Sequence, residues 1–245
     1  METNKLLAFA VDAAVSAGKI LLTQRSSVVK SDLGHDIKLQ ADTDSEHKIF
    51  TILQNTGINI LSEEYGYFEQ DSKSGLRWII DPLDGSLNYV RHIPIFCISI
   101  ALWNDDEPVF GVIYDYVHDY LFEGVVGENA TLNNKLIHVS DIQLKSKAIL
   151  ATGFPVYSSF DTTTLTHFVS DIQSYKKVRL FGSAAFSLAM VAQGSVDAYQ
   201  ENNIAWWDVA AGIAIVLAAG GKVHFKFTDR DKSLLNVIAT NVNLK

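Results

Sequence analysis

The stretch Trp78-Ile79-Ile80-Asp81-Pro82-Leu83-Asp84-Gly85-Ser86 decides the reading of this chain. An apolar run of buried type stops abruptly at two carboxylates, a proline, a glycine and a hydroxyl. Trp-Ile-Ile reads as a strand, and Asp-Pro and Asp-Gly read as a turn. Such a turn lets Asp81 and Asp84 converge, where strict strand alternation would fix the face of each by its position. Two converging carboxylates disfavour joint ionisation unless a cation lies between them. Oxygen-only ligands select a hard ion, Mg²⁺ or Mn²⁺. Taken alone, Asp-Pro or Asp-Gly is an ordinary strand-ending turn; the remaining acids of the chain shift that balance.

Glu63-Glu64 closes the short strand Ile58 to Leu61, as Asp81 closes its own. Asp42 lies just before a helix, and Glu201 follows the strand Val196 to Tyr199. Asp208 sits in Trp206-Trp207-Asp208-Val209-Ala210-Ala211-Gly212. An acid entering an alanine-rich apolar helix has to be paired, metal-bound or used as a cap, and a helix N-cap is the competing reading of Asp208.

Composition sets the frame. The chain has 245 residues, 48% of them hydrophobic, enough for one large domain or two intimately packed halves. Net charge is −8. No basic run interleaved with aromatics occurs, which argues against a nucleic-acid groove. The single cysteine, Cys97, cannot form an internal disulfide and lies in an apolar run, so it reads as a buried structural thiol in a protein of the reducing cytoplasm. Asp12 breaks the N-terminal apolar run too early for a signal peptide. No stretch reads as a membrane span, Val209 to Ala219 being too short.

Hydrophobic spacing predicts helices over 5–24 and 44–55, the second capped by Asp44 or Ser45, with a loop or hairpin over 25–41. A polar loop over 67–76 precedes strands at 77–81, 95–103, 109–116 and 119–126. Residues 127–147 read as a transition. Strands at 148–152, 178–181, 196–199, 222–227 and 236–240 then alternate with helices at 160–173, 183–193 and 207–219. The division expected is an N-terminal α+β half over 1–145 that carries the metal-binding acids and a C-terminal α/β half over 146–245 that completes the active site. Lys176, Lys177 and Arg179 read as a solvated strand edge. His35 and His92 fall near the candidate loops and read as solvent-exposed.

These motifs resemble those of the inositol monophosphatase family, within the lithium-sensitive, Mg²⁺-dependent phosphatases of the fructose-1,6-bisphosphatase fold. Asp81 to Tyr89 is similar to the family's Asp-Pro-x-Asp-Gly-Thr-x-Asn-Phe. Trp207 to Gly212, with Ala219-Gly220-Gly221, resembles its second signature. Gly182-Ser183-Ala184-Ala185 looks like its phosphate-facing helix start, and Thr152-Gly153-Phe154-Pro155 like a feature of bacterial members. The resemblance covers nearly the whole chain. It implies an α/β fold, an α+β layered sandwich with alternating α-β-α-β-α layers, and commonly a homodimer, to which the strand run 95–126 is a contributor to consider.

Carried over by position, the resemblance implies two or three Mg²⁺ ions, with Mn²⁺ as a substitute. Glu63, Asp81, the Leu83 carbonyl and Asp84 would form the metal bridge; Asp208 would hold the second ion and Asp42 a third, weaker one. Glu63, Ser86 and Asp42 would serve catalysis, Ser86 replacing the family's threonine. Gly85, Ser86, Gly182, Ser183, Ala184, Glu201 and Asp208 would bind substrate, a small phosphorylated polyol or sugar. Ser62 stands where many members have glycine. Ala205 and Trp206 stand where mammalian members place a histidine and a cysteine, which loosens the inference to inositol itself. Sugar phosphates and fructose 1,6-bisphosphate are alternatives, 3′-phosphoadenosine compounds less so because of Leu87-Asn88-Tyr89. The reading from another class is a non-catalytic metal-binding scaffold or regulator, which loss of a ligand acid would have favoured; every expected acid is present.

Overall fold

The computed structural model describes residues 2–23, 29–33, 36–70, 75–154 and 161–245. Helices α1 (Glu2–Thr23) and α2 (Gln40–Leu53) flank a hairpin of β1 (Val29–Leu33) and β2 (Asp36–Leu39). Strands β3 (Asn59–Ser62), β4 (Gly66–Phe68), β5 (Leu76–Asp84), β6 (Cys97–Asn104), β7 (Glu107–Asp115), β8 (Tyr120–Val125), β9 (Ala130–Leu132) and β10 (Lys135–Ile137) form an eight-stranded sheet, with α3 (Ser86–Val90) between β5 and β6. The sheet runs β10-β9-β8-β7-β6-β5-β3-β4 and is antiparallel except where β3 meets β5. A second sheet, ordered β12-β11-β13-β15-β14, combines β11 (Ile149–Thr152), β12 (Lys177–Arg179), β13 (Ala198–Ala205), β14 (Lys222–Asp229) and β15 (Leu234–Thr240). Helices α4 (Thr162–Gln173), α5 (Ala184–Ala192) and α6 (Trp206–Ala218) connect them.

The apolar run of β5 is continuous because both faces of its sheet are covered. Ile80, Ile98, Ile100 and Val112 point into a core shared with the Ala10-Ala13-Ala14-Ala17-Leu21 stripe of α1 and with Ile49 and Leu53 of α2. Their alternate neighbours Ile79, Ala101, Trp103 and Ile113 point the other way, into a core built from α5, α6 and the second sheet. Helix α6 is apolar on all sides and is packed between the two sheets. It approaches β7 so closely that a Cβ on Gly111 would lie 2.2 Å from the Ala211 carbonyl oxygen.

Parallel pairing of β11 with both β12 and β13 makes two crossovers in opposite directions. Right-handed crossovers of opposite direction place their helices on opposite faces. With α5 inside, α4 lies outside, and its Phe168 rests on Phe154. The layers are thus α1/α2, first sheet, α5/α6, second sheet, α4, the expected sandwich.

Several elements depart from the sequence reading. Helix α2 starts at Gln40, not near Asp44: Leu39 occupies the cap position, its N–H donates to Asp42 Oδ2 at 2.6 Å, and Ser45 Oγ turns inward to the Pro82 carbonyl at 2.8 Å. Asp42 therefore lies inside the first helical turn. The loop expected over 67–76 begins with β4, an edge strand paired with β3. The transition over 127–147 contains the β9–β10 hairpin, which extends the first sheet. Glu201 lies within β13 rather than after it; the polar Glu-Asn-Asn that reads as a strand end is an irregularity, with Asn203 at φ +53°.

Within the run 95–126, strands β6 and β7 are buried on both faces, while β8 and the Val117–Tyr120 turn are partly exposed. β12 is a sheet edge and its Lys177 and Arg179 are exposed, as read. Helix α1 is long and apolar enough to cross a membrane by length and composition, a test that core helices also pass, and one stripe of it is built into the core.

Candidate active site

Strand β5 does not end in a turn at Asp81. It continues to Asp84 through a bulge: Asp81 pairs with Ser99 and Asp84 with Cys97, three steps on one strand against two on the other. Pro82 fits there because it has no N–H to lose from the ladder. The Leu83 N–H donates to Asp81 Oδ1 at 2.9 Å. The extra residue re-aims Asp84, and Gly85, at φ +91°, turns the chain into α3. Both acids thus emerge close together, by a different local geometry from the turn expected.

Asp81, Asp84, Glu63 and Asp208 act on one another electrostatically. Burial, then Glu63, Asp84 and Asp208, hold the Asp81 carboxyl well above the usual range. Burial, then Glu63, Asp84 and Glu201, do the same for Asp208, which lies in the first turn of α6 with its carboxylate on the Ala205 N–H. The N-cap is Ala205, so Asp208 is not itself the cap. Asp84 is 8% exposed and accepts from Ser183 Oγ at 2.5 Å and from the Ala185 N–H at 2.7 Å. Even so, burial pushes it up to about 6. The Ser183–Ala185 start of α5, expected to face phosphate, here faces Asp84.

Ser86 Oγ lies 3.1 Å from Asp42 Oδ1 and 2.9 Å from the Leu83 carbonyl oxygen, with one proton to give. Glu201 receives the Tyr199 hydroxyl at 2.8 Å on Oε2, and burial pushes it up to about 7. Gly153 leaves room for this carboxylate: a Cβ there would stand 2.5 Å from Oε2. Cys97 is fully buried, its thiol pushed up by burial, and is the inert thiol expected. His92 is exposed at φ +56°. His35 and Pro155 lie outside the described residues.

The roles of three residues of this region escape a sequence reading. Glu46, fully buried one turn along α2 from Asp42, accepts from Ser62 Oγ and from the Glu64 and Tyr65 N–H groups at 3.1 Å each, tying down the turn that carries Glu63. Ser62 is that donor. Asn88 Nδ2 donates to the Ile95 and Phe181 carbonyls at 2.8 Å, fastening α3 to the start of α5. The signal available for Glu46 was a second acid four residues after Asp42; for Asn88 there was none beyond the motif.

After burial, the strongest influences on Asp81 and Asp208 are other carboxylates, so the set is oxygen-rich and negative. That set suits a hard divalent cation. Among the described residues, no three His, Cys, Asp or Glu side chains are already drawn into one ligand cage; Asp81, Asp84 and Asp208 each take a backbone or hydroxyl donor while feeling the others' charge.

The family model for the inositol monophosphatase family matches residues 2–242. The chain belongs to the inositol monophosphatase family. Members are phosphatases that hydrolyse phosphomonoesters, generally with Mg²⁺, and this chain is such an enzyme. It is 33% identical over 230 residues to the Nus factor SuhB of Pasteurella multocida, covering 90% of this chain and 85% of that protein. It is 33% identical over 225 residues to the fructose-1,6-bisphosphatase/inositol-1-monophosphatase of Aquifex aeolicus, covering 89% and 84%. The solved inositol monophosphatase of Anabaena superposes with a TM-score of 0.83 at 35% identity, covering 99% of this chain and 93% of the other. Relatives in the inositol monophosphatase family thus share the layered sandwich.

Proposed function

We propose that this enzyme is a Mg²⁺-dependent phosphomonoesterase for a small polyol phosphate, of inositol monophosphate type, working as a cytoplasmic homodimer and sensitive to lithium. The observation that carries the reading is the convergence of carboxylates: Asp81 and Asp208 are both raised, by burial first and then by Glu63 and Asp84. Glu63, Asp81, Asp84, Asp208 and the Leu83 carbonyl would hold two Mg²⁺ or Mn²⁺ ions, and Asp42 a third. Bound there, the ions would neutralise the phosphate and lower the pKa of an attacking water.

The chain's own groups have separate tasks in this reading. Ser86 Oγ, poised by Asp42, accepts a hydrogen bond and orients the water, with Glu63 beside it. The backbone N–H groups of Gly85-Ser86 and of Gly182, Ser183 and Ala184 donate to phosphate oxygens, those of α5 once Asp84 turns from them to a cation. Glu201, half-protonated near neutrality, both donates to and accepts from substrate hydroxyls, with Asp208 on the same side. Nothing in this arrangement demands inositol over another polyol, and the Aquifex aeolicus relative is named for two substrates.

The test is phosphate release from inositol 1-phosphate, fructose 1,6-bisphosphate, adenosine 3′,5′-bisphosphate and a set of hexose and heptose phosphates, with and without Mg²⁺. Mg²⁺-dependent turnover of inositol 1-phosphate far above the rest is expected. A different preferred compound would move the substrate class; no turnover of any, with metal bound, would favour the scaffold or regulator reading.

A further inference from the structure

A separate cavity of about 510 Å³ opens beside the first turn of α6, lined in part by Tyr67, Arg77, Trp206, Arg230 and Lys232. Arg77, partly buried near the start of β5, is its central group. The guanidinium carbon lies 5.4 Å from the Tyr67 ring centroid and 5.6 Å from that of Trp206. Its π faces are filled, yet its Nε is buried without an acceptor. Trp206, 3% exposed, likewise has an indole N–H with no acceptor. Asp106 is near enough to feel Arg77, but both of its oxygens are engaged by Arg230, at 3.0 and 2.6 Å. Lys232 lies 3.6 Å from Asp229 on the exposed rim, and Asp231 is the acid on the wall.

An arginine held by two aromatic rings beside a cavity has, in its terminal nitrogens, a fork that suits two oxygens; the buried Nε itself is out of a ligand's reach. Carboxylate and phosphate fit that fork; a neutral ligand would leave the charge uncompensated. Arg77 and Asp81 are four residues apart on β5, so on the same face and about 13 Å apart along the strand. The cavity is therefore separate from the acids but adjoins them through Trp206-Trp207, which lead into Asp208.

We infer that this cavity is a second binding site, for a small ligand presenting an oxyanion to Arg77, with Lys232 adding positive charge at the rim. The inference is independent of which phosphate ester the enzyme hydrolyses. Stripped of metal with EDTA, the acid-lined centre repels anions, so anion binding in that state reports on the cavity. Tryptophan fluorescence is followed during titration with inorganic phosphate and, separately, malonate, and crystals are soaked in selenate.

The expected result is saturation by at least one of the two anions, at least tenfold weaker in Arg77→Met, which keeps a stem between the two rings. Selenate density is expected against Arg77. Arg77→Lys, which keeps the charge and loses the fork, is expected to weaken binding by a smaller factor. Response to phosphate alone assigns a phosphorylated ligand, and to malonate alone a carboxylate. No saturation by either anion into the tens of millimolar, unchanged affinity in Arg77→Met, or selenate found only elsewhere overturns the inference. If Arg77→Met does not fold, the selenate position in the wild-type crystal decides.

Discussion

Asp84 touches two parts of the chemistry at once. Its oxygen closes the start of α5 through Ser183 and Ala185, while its charge is felt by Asp81 and Asp208. Asp84→Asn keeps the shape and removes a charge that a cation needs, as does Asp208→Asn. Each is expected to lower turnover by roughly two to four orders of magnitude with an unchanged circular dichroism spectrum; near-normal rates in both would sink the metal-site assignment. Tyr199 is a positioning residue for Glu201. Removing its hydroxyl in Tyr199→Phe should raise KM for a polyol phosphate about fivefold, the worth of one hydrogen bond of about 1 kcal/mol. Hydrolysis of p-nitrophenyl phosphate, which has no polyol hydroxyls, should be unmoved; equal losses on both substrates would assign Tyr199 a merely structural part. The acids were legible in the sequence because each interrupts an apolar run, where an unpaired charge is expensive. The roles of Glu46 and Asn88 were not, because their partners are donors and carbonyls of distant segments: Ser62 is 16 residues from Glu46 and Phe181 is 93 from Asn88.

Among the elements, long periodic segments were legible and their ends were not. The α1 stripe and the β6 to β8 run follow from spacing alone. The strand interruptions were misread, since Asp-Pro-Leu-Asp and Glu-Asn-Asn carry turn-forming residues but lie in irregular strands, held in register by β6 and β15. Pairing with a neighbouring strand outweighed local turn preference. At the α2 start, Asp44 and Ser45 were plausible caps in isolation, but Asp42 reaches back to the Leu39 N–H and Ser45 is drawn to Pro82. The contact of β7 with α6 gives a sharper test at this scale. Gly111→Ala places a methyl against the Ala211 backbone, which neither element yields easily. A loss of roughly 3 kcal/mol is expected, read as a lowered denaturation midpoint with an unchanged slope; a midpoint matching the wild type would mean that α6 is free to shift.

The molecule as a whole stores its charge problem in one place. Asp81, Asp84 and Asp208 bind protons more tightly in the folded chain than in the unfolded one. Their contribution is therefore fully present below the unfolded carboxylate value near 4 and is lost as pH rises through the folded values, about 6 for Asp84. For Asp84 alone the loss is roughly 3 kcal/mol. The metal-free enzyme should melt at a lower temperature at pH 8 than at pH 5, and Mg²⁺ should restore more at pH 8. A metal-free melting temperature that climbs with pH across this window would contradict the burial of these acids.

Helix α6 lies between the sheets and is greasy all round, so it belongs to neither alone. A fragment ending near residue 145 would leave a raw wall on the first sheet, and the complementary fragment a helix covered on one side only. Recombination that exchanged one half between relatives would have to carry matching surfaces on both sides of the helix. The two halves are bound to be inherited together, like the two sides of a zip.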